Sequence, residues 1–215
     1  MSRVGIIDYD AGNLTSVETA LMHLKADFIV SSDPLELKKT DKLIFPGVGE
    51  AGAAMKSLRK NGLSDFLREY KKSKKNILGI CLGAQIVLTG SDEADTRCLD
   101  IVPGRALHFS CSEGCKIPHM GWNSISLEEY GKKSPLYEGI PDGTSFYFVH
   151  SYYPEPEGAA KRLTMTEYGI SFCSSFQFEN LFAVQFHPEK SGKWGLRLLE
   201  NFIRSIGPDC VKAGS

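Results

Sequence analysis

Short runs of apolar residues alternate with amphipathic segments along the first half of the chain. The apolar runs cover residues 4–7, 28–30, 43–45 and 77–80. Apolar residues recur with helical spacing at 14–24, 51–60 and 63–72. Continuous short apolar runs are typical of parallel strands that are buried on both faces. The alternation therefore predicts a β-α-β-α arrangement with a parallel sheet.

The second half of the chain is richer in strand patterns. They cover residues 121–127, 145–149, 162–167, 171–178 and 181–186, and a helical pattern closes the chain from 192 to 206. Together the two halves predict an α/β fold with a mixed, mostly parallel central sheet flanked by helices. The chain shows no repeat and no low-complexity linker, so we expect residues 1–215 to form a single domain.

A cysteine stands where a predicted strand turns into a helical segment. Cys81 lies between Gly79 and Gly83, after the apolar run at 77–80. A sharp strand-to-helix turn strains its central residue and favours glycine on both sides. A thiol at a helix N-terminus is also favoured as thiolate. The motif indicates a nucleophile, although a buried structural cysteine beside a glycine-rich turn would give the same sequence pattern.

A histidine and a glutamate follow another apolar strand far down the chain. His187 comes directly after the run at 181–186, and Glu189 is two residues further on. Residues two apart in an extended segment point the same way, so Glu189 can orient the His187 imidazole. With Cys81 they would form a nucleophile, base and acid triad that is assembled in space.

The third motif is a glycine-rich loop, P-G-V-G at 46–49, after the predicted strand at 43–45. Backbone amides in such a loop can be aimed at a carbonyl oxygen that gains negative charge. Val48 and Gly49 are the candidate donors, together with the amide of Leu82. On its own the loop would be interpreted as an ordinary turn.

These motifs, in this order, resemble those of the Cys-His-Glu glutamine amidotransferases of flavodoxin-like fold. The strings are G-I-C-L-G-A-Q at 79–85, Q-F-H-P-E-K-S at 185–191 and P-G-V-G at 46–49. The resemblance implies hydrolysis of L-glutamine through a cysteinyl thioester, with no cofactor. The strings P-H-M-G-W-N at 118–123 and Y-F-V-H-S-Y at 147–152 are similar to the glutaminase subunits that serve imidazole glycerol phosphate synthases in histidine biosynthesis.

The resemblance also implies a substrate pocket. Gln85 and Glu93 match positions that hold the α-amino and carboxylate ends of glutamine, and Ser151 with Tyr152 match a backbone segment of the same pocket. A zwitterionic substrate needs an anion for its ammonium group and donors for its carboxylate. Without the family, Glu93 would be interpreted as a solvated acid in an acidic stretch.

The sequence shows no site that resembles an acceptor for the ammonia. We therefore expect another polypeptide, a partner, to consume it. The resemblance implies a (β/α)₈-barrel synthase, the cyclase subunit, that docks over the site and reorganises the loop at 46–49. We expect the docking edge to include Asn13, Trp122, Tyr137 and Lys190. A paralogous synthase of another pathway remains an alternative acceptor.

Composition is compatible with such an enzyme. The 215 residues are 42% hydrophobic with a formal net charge of −1, which gives no broad basic field for nucleic acid. The chain shows no signal-type segment and no membrane-length apolar run, and its six cysteines lack framework spacing. We therefore expect a cytoplasmic enzyme.

Three alternatives stay open from the residues. His108, Cys111, Cys115 and His119 could offer four ligands to zinc, but their spacing favours two strands around a turn at 112–114, and we expect no metal. A thiol hydrolase on a similar fold could use the same elbow. A flavodoxin-like binding module could use the crevice at the strand ends without chemistry.

Overall fold

A mixed eight-stranded sheet forms the centre of the molecule. The computed structural model describes residues 2–10, 14–110 and 116–206. The strands in these ranges are β1 (Val4–Ile7), β2 (Phe28–Ser31), β3 (Lys42–Gly47), β4 (Asn76–Cys81), β5 (Leu88–Ser91), β6 (Thr96–Arg97), β7 (Val102–His108), β8 (His119–Ser124), β9 (Ser126–Leu127), β10 (Ser145–His150), β11 (Tyr152–Pro156), β12 (Lys161–Glu167), β13 (Ser171–Phe178) and β14 (Leu181–Val184). The central sheet has the order β2-β1-β3-β4-β14-β13-β12-β9.

Helices cover the sheet. They are α1 (Leu14–His23), α2 (Pro34–Leu37), α3 (Ala51–Lys60), α4 (Leu63–Lys72), α5 (Leu82–Ile86), α6 (Glu129–Lys133) and α7 (Gly192–Glu200). The predicted bounds of α3 and α4 are confirmed, whereas the last predicted helix is α-helical only to Glu200 and continues as a π-helical turn, Asn201–Ser205. Among the helices of the described ranges, none has the length and apolar character needed to span a bilayer.

The predicted fold class is confirmed by the direction of the strands. From β2 to β14 all neighbours are parallel, and the last three pairings, from β14 to β9, are antiparallel. In the β14–β4 pair, Val184 is opposite Ile80. The carboxyl ends of these two strands therefore lie side by side, which is where open α/β sheets place their sites.

The central strands are apolar throughout because both faces of the sheet are covered. Ile44 and Leu78 face a core built with α1 and α7. Leu43, Phe45 and Ile77, which alternate with them, face a second core built with α3 and α4. Burial of successive residues on opposite sides explains why these strands show no polar alternation.

Two smaller sheets were not predicted. One has the order β11-β7-β5-β6 and the other consists of β10 and β8. Strands β5, β6 and β11 fall in segments where the sequence analysis identified no strand, because they are short or interrupted by proline and glycine. β7 and β8 belong to different sheets, so the predicted pairing of two strands around a turn at 112–114 is wrong; the turn residues themselves lie outside the described ranges.

The turn from β4 into α5 is a close backbone approach near the site. A Cβ atom on Gly83 would lie 1.9 Å from the carbonyl oxygen of Phe45, and one on Gly79 would lie 3.0 Å from the carbonyl oxygen of Gly83. Helix α5 has only five residues before the chain enters β5. Hydrogen in place of a side chain at Gly83 is therefore what allows α5 to pack against β3.

We expect Gly83→Ala to lower the free energy of unfolding by about 1–3 kcal/mol, because the new methyl group meets backbone and the elbow must shift. Gly52→Ala in α3 is the matched control, since its Cβ would meet only Thr96 Oγ1 at 3.6 Å. That control should be neutral or stabilising by up to about 1 kcal/mol. Urea unfolding of both variants measures the difference, and equal stabilities would contradict the packing argument.

Candidate active site

Cys81 is the last residue of β4 and stands at the elbow in a strained conformation. Its backbone has φ 53° and ψ −109°, which a non-glycine residue rarely adopts. The side chain is buried. Gln185 Nε2 donates to its sulfur at 3.6 Å, and the carbonyl oxygen of Val149 lies 4.0 Å from the sulfur. A strained backbone persists only where the surrounding packing enforces it, and such residues are typical of functional sites.

His187 and Glu189 lie close to Cys81 at the end of the neighbouring strand. Nδ1 of His187 is 2.7 Å from Oε1 of Glu189, and both side chains are buried. The pairing was predicted, but not its geometry: residues 188–190 form a 3₁₀ turn rather than an extended segment. Pro188 at the start of this turn has the φ that a helical turn requires. Ser191 fixes the turn by donating to the carbonyl oxygen of His187 at 2.6 Å.

The electrostatics of His187 couple it to the thiol. Burial alone would lower the pKa of His187, but the thiolate charge of Cys81, a hydrogen bond to that sulfur and the contact with Glu189 together raise the pKa above its ordinary value. Nε2 of His187 is buried and makes no well-aligned hydrogen bond within the described structure. This nitrogen is therefore available to take a proton from the thiol and to return it.

A cavity of about 420 Å³ opens at Cys81. It is lined by Val48, Gly49, Cys81, Leu82, Gln85, Glu93, Pro118, Val149, His150, Ser151 and Tyr152. All of the candidate oxyanion and substrate-binding residues are in this set. The two small sheets supply the outer wall, because β10 and β11 carry the segment from Val149 to Tyr152.

The side-chain amide of Gln85 is held in one orientation. Its Nε2 donates to the carbonyl oxygen of Tyr152 at 2.8 Å and to Oε1 of Gln185 at 2.9 Å. A primary amide has two N–H donors, and both are used here. The carbonyl oxygen of Gln85 is therefore the atom that this side chain can offer to a ligand in the cavity.

Glu93 is not a freely solvated acid. It lies half-buried in the cavity wall, and its Oε2 accepts a hydrogen bond at 2.7 Å from the backbone amide of Ala51 at the start of α3. Ala94 and Asp95, which follow it, both have positive φ. The helix N-terminus and this tight turn hold the carboxylate toward the cavity, where it provides a negative charge.

A chain of hydrogen bonds supports the carbonyl oxygen of Tyr152 from behind, and the sequence analysis assigned no such role to its members. His150 Nδ1 lies 2.8 Å from that oxygen, His119 Nδ1 lies 3.0 Å from His150 Nε2, and Asn123 Nδ2 lies 3.2 Å from His119 Nε2. Because a carbonyl only accepts, each histidine must carry its proton on Nδ1. Burial lowers the pKa of His119 to about 4 and that of His150 to about 3, which keeps both rings neutral.

Two of the four candidate zinc ligands, His108 and His119, are among the described residues. Both ring nitrogens of His119 are engaged in the hydrogen bonds just described. Cys111 and Cys115 lie outside the described residues. In the part of the chain that the structure describes, no group of three or more His, Cys, Asp or Glu side chains is arranged to hold a metal ion.

The predicted docking residues have different environments. Trp122 is 59% exposed on the outer face of β8, beside Met120 at 62%, and Lys190 is half-buried in the turn after Glu189. Asn13 lies outside the described residues. The prediction for Tyr137 is wrong, because this side chain is only 3% exposed and its hydroxyl donates to Ser175 Oγ at 2.7 Å in the core.

Comparison with known proteins agrees with the geometry. The family model described as "Glutamine amidotransferase class-I" matches residues 5–206. The chain is 47% identical over 205 residues to "Imidazole glycerol phosphate synthase subunit HisH" of Maridesulfovibrio salexigens, covering 93% of this chain and 95% of the relative. The same subunit of Chlorobaculum tepidum is 45% identical over 203 residues, covering 93% and 98%. A crystal structure titled as a glutamine amidotransferase superposes with a TM-score of 0.70 at 20% identity, covering 93% and 96%, and this likeness concerns the fold alone.

We expect Cys81→Ala to lower the pKa of His187, because the variant removes the thiolate charge and the hydrogen bond that raise it while burial still lowers it. The matched control is Cys98→Ala, which removes a buried thiol from another part of the core. NMR titration of the His187 imidazole in both variants and in the parent chain gives the answer. An unchanged His187 titration in Cys81→Ala would contradict the coupling between thiol and imidazole.

Proposed function

The chain belongs to the class-I glutamine amidotransferase family, and we propose that the cavity at Cys81 is the site where it hydrolyses the side-chain amide of L-glutamine. The function is that of the glutamine-hydrolysing subunit of imidazole glycerol phosphate synthase in histidine biosynthesis, as the named relatives indicate. The observation that carries the assignment of the site is that Cys81, His187 and Glu189 come together beside the cavity formed by the predicted pocket residues.

The cavity suits the two charged ends of glutamine. The α-ammonium group would lie between the Glu93 carboxylate and the Gln85 carbonyl oxygen, which are the acceptors that the wall provides. The α-carboxylate would meet the backbone of Ser151 and Tyr152, which line the same cavity. This arrangement would direct the side-chain amide toward Cys81.

The chemistry follows from the proton positions. His187 Nε2 takes the proton of Cys81, and the thiolate attacks the amide carbon of glutamine, so that a carbon–sulfur bond forms and the carbonyl oxygen becomes an oxyanion. Backbone amides of Val48 or Gly49 and of Leu82 would stabilise that charge. His187 then protonates the leaving nitrogen, ammonia departs, and a glutamyl thioester remains. Water, deprotonated by His187, attacks the thioester, releases glutamate and restores the thiol.

We propose that the released ammonia passes to a (β/α)₈-barrel cyclase subunit docked over the cavity. The exposed residues at the rim of the cavity support the proposal that this subunit docks there. Val48 and Ile117 are exposed apolar residues beside it, and Met120 and Trp122 continue the patch along β8. Apolar and aromatic residues that are exposed together in this way are typical of a protein interface. Lys190, next to the triad acid, would add a charged contact at the edge.

We expect Cys81→Ala to reduce ammonia release from L-glutamine by at least about a thousandfold without unfolding the chain, because no other described group can replace the nucleophile. A glutamine-mimicking alkylator should label Cys81 rather than Cys98 or Cys173, since burial raises the pKa of those thiols to about 11 and about 12. Substantial activity in a folded Cys81→Ala protein, or a label mapped to another cysteine, would refute the proposed site.

We expect Trp122→Ala to weaken binding of the barrel subunit by about 2 kcal/mol, or about thirtyfold in Kd, because the truncation of a large aromatic contact in an interface costs on this scale. Tyr130→Ala is the control, because Tyr130 is also an exposed aromatic, at 49%, on α6 at the β9 edge of the sheet, remote from β4 and β14. Calorimetric titration of each variant with the barrel measures both constants. Equal affinities of the two variants would exclude Trp122 from the docking surface.

A further inference from the structure

The hydroxyl of Tyr9 is a buried polar group that the mechanism above does not use. Tyr9 follows β1, is 1% exposed and packs its ring against Phe45 with the centroids 5.4 Å apart. Among the described residues, its Oη has no hydrogen-bond partner. A buried hydroxyl without a partner is costly and rare in folded proteins, so its position calls for a physical reason.

The hydroxyl lies directly against the glycine-rich loop. A Cβ atom on Gly47 would be 2.1 Å from Tyr9 Oη, so the hydroxyl occupies the space where a side chain at this position would go. Gly47 precedes Val48 and Gly49, which line the cavity with Cys81. Gly49 has φ 94° and open space where its Cβ would be, so the backbone at this end of the loop has room to move.

We propose that Tyr9 is a positioning residue for the oxyanion loop, and that its hydroxyl donates to a carbonyl oxygen of the segment 47–49 when an amide of that segment turns toward the glutamine carbonyl. This inference rests on the glutaminase function proposed above. The N–H and C=O of a peptide group point to opposite sides. An amide that turns toward the substrate therefore turns a carbonyl away from it. The unpaired Tyr9 hydroxyl lies beside the loop, where it can donate a hydrogen bond to that carbonyl oxygen.

The protonation state of Tyr9 suits a donor. Burial raises the pKa of Tyr9 above its ordinary value, and the negative charge of the Cys81 thiolate raises it further. The hydroxyl therefore keeps its proton through the range in which the triad works. The hydrogen bond would be made in the reactive arrangement and not in the resting one, so that it favours the transition state over the ground state.

Tyr9→Phe in the complex with the barrel subunit tests the inference, because it removes one oxygen atom and leaves the ring. We expect kcat for glutamine hydrolysis to fall about 10-fold to 100-fold, which is less than the loss of an oxyanion donor itself, with KM nearly unchanged. The urea midpoint should stay the same or rise, since the hydroxyl is unpaired in the resting structure. Alkylation of Cys81 by iodoacetamide should keep its rate, because displacement at a saturated carbon forms no oxyanion.

Tyr137→Phe is the matched control. Tyr137 is equally buried, but its hydroxyl is bonded to Ser175, so its loss should lower the urea midpoint and leave kcat unchanged. An unchanged kcat in Tyr9→Phe overturns the inference while leaving the glutaminase function intact. Slower alkylation in Tyr9→Phe would also overturn it, because the hydroxyl would then act on the thiol and not on the loop. Absence of glutamine hydrolysis by the parent complex would instead refute the proposed function.

Discussion

The contact between Gly83 and the carbonyl oxygen of Phe45 sets the geometry on which the site depends. Because Gly83 has no side chain to collide with that oxygen, α5 can begin directly after β4. The turn between them forces Cys81 into positive φ. Strain of this kind costs on the order of 1–3 kcal/mol and persists only where the surroundings enforce it. Here the enforcing elements are β3 and β14, which flank β4 in the centre of the sheet. Cys81 is thus held in the buried centre of the sheet.

The same sheet brings His187 close to Cys81. β14 is parallel to β4 although more than a hundred residues of chain separate Cys81 from His187. The intervening segment builds β13 and β12 on the far side of β14 and two small sheets above the cavity. In these small sheets His150 hydrogen-bonds the carbonyl oxygen of Tyr152, which in turn accepts from the Gln85 amide. The second N–H of that amide donates to Gln185, and Gln185 donates to the Cys81 sulfur. Cys81 and the wall of the cavity therefore belong to one hydrogen-bonded network.

The parts that were predictable from sequence are those with a local signal. Buried parallel strands and amphipathic helices have distinct periodicities, and the bounds of α3 and α4 followed from them. The motifs placed Cys81, His187 and Glu189 correctly near one another, because strand ends in an open sheet converge. Pairing of β7 with β11 rather than with β8 depends on contacts between residues distant in sequence. The hydrophobic periodicity of a strand does not indicate which other strand it pairs with. Tyr137 illustrates the same limit, since an aromatic residue between polar neighbours gives no sign of whether its hydroxyl has a partner in the core.

Unpaired polar atoms gather where the structure is expected to change. In the described residues five buried side-chain atoms lack a hydrogen-bond partner, and three of them are Tyr9 Oη, His187 Nε2 and Glu189 Oε2. A buried hydroxyl without a partner, such as that of Tyr9, destabilises the resting fold by about 1–3 kcal/mol. Because these three atoms lie around Cys81, His187 and the glycine-rich loop, this cost is concentrated beside the cavity, where a bound ligand can supply new contacts. A fold that left these groups satisfied would be more stable, but it would have less to gain from assembling the reactive arrangement.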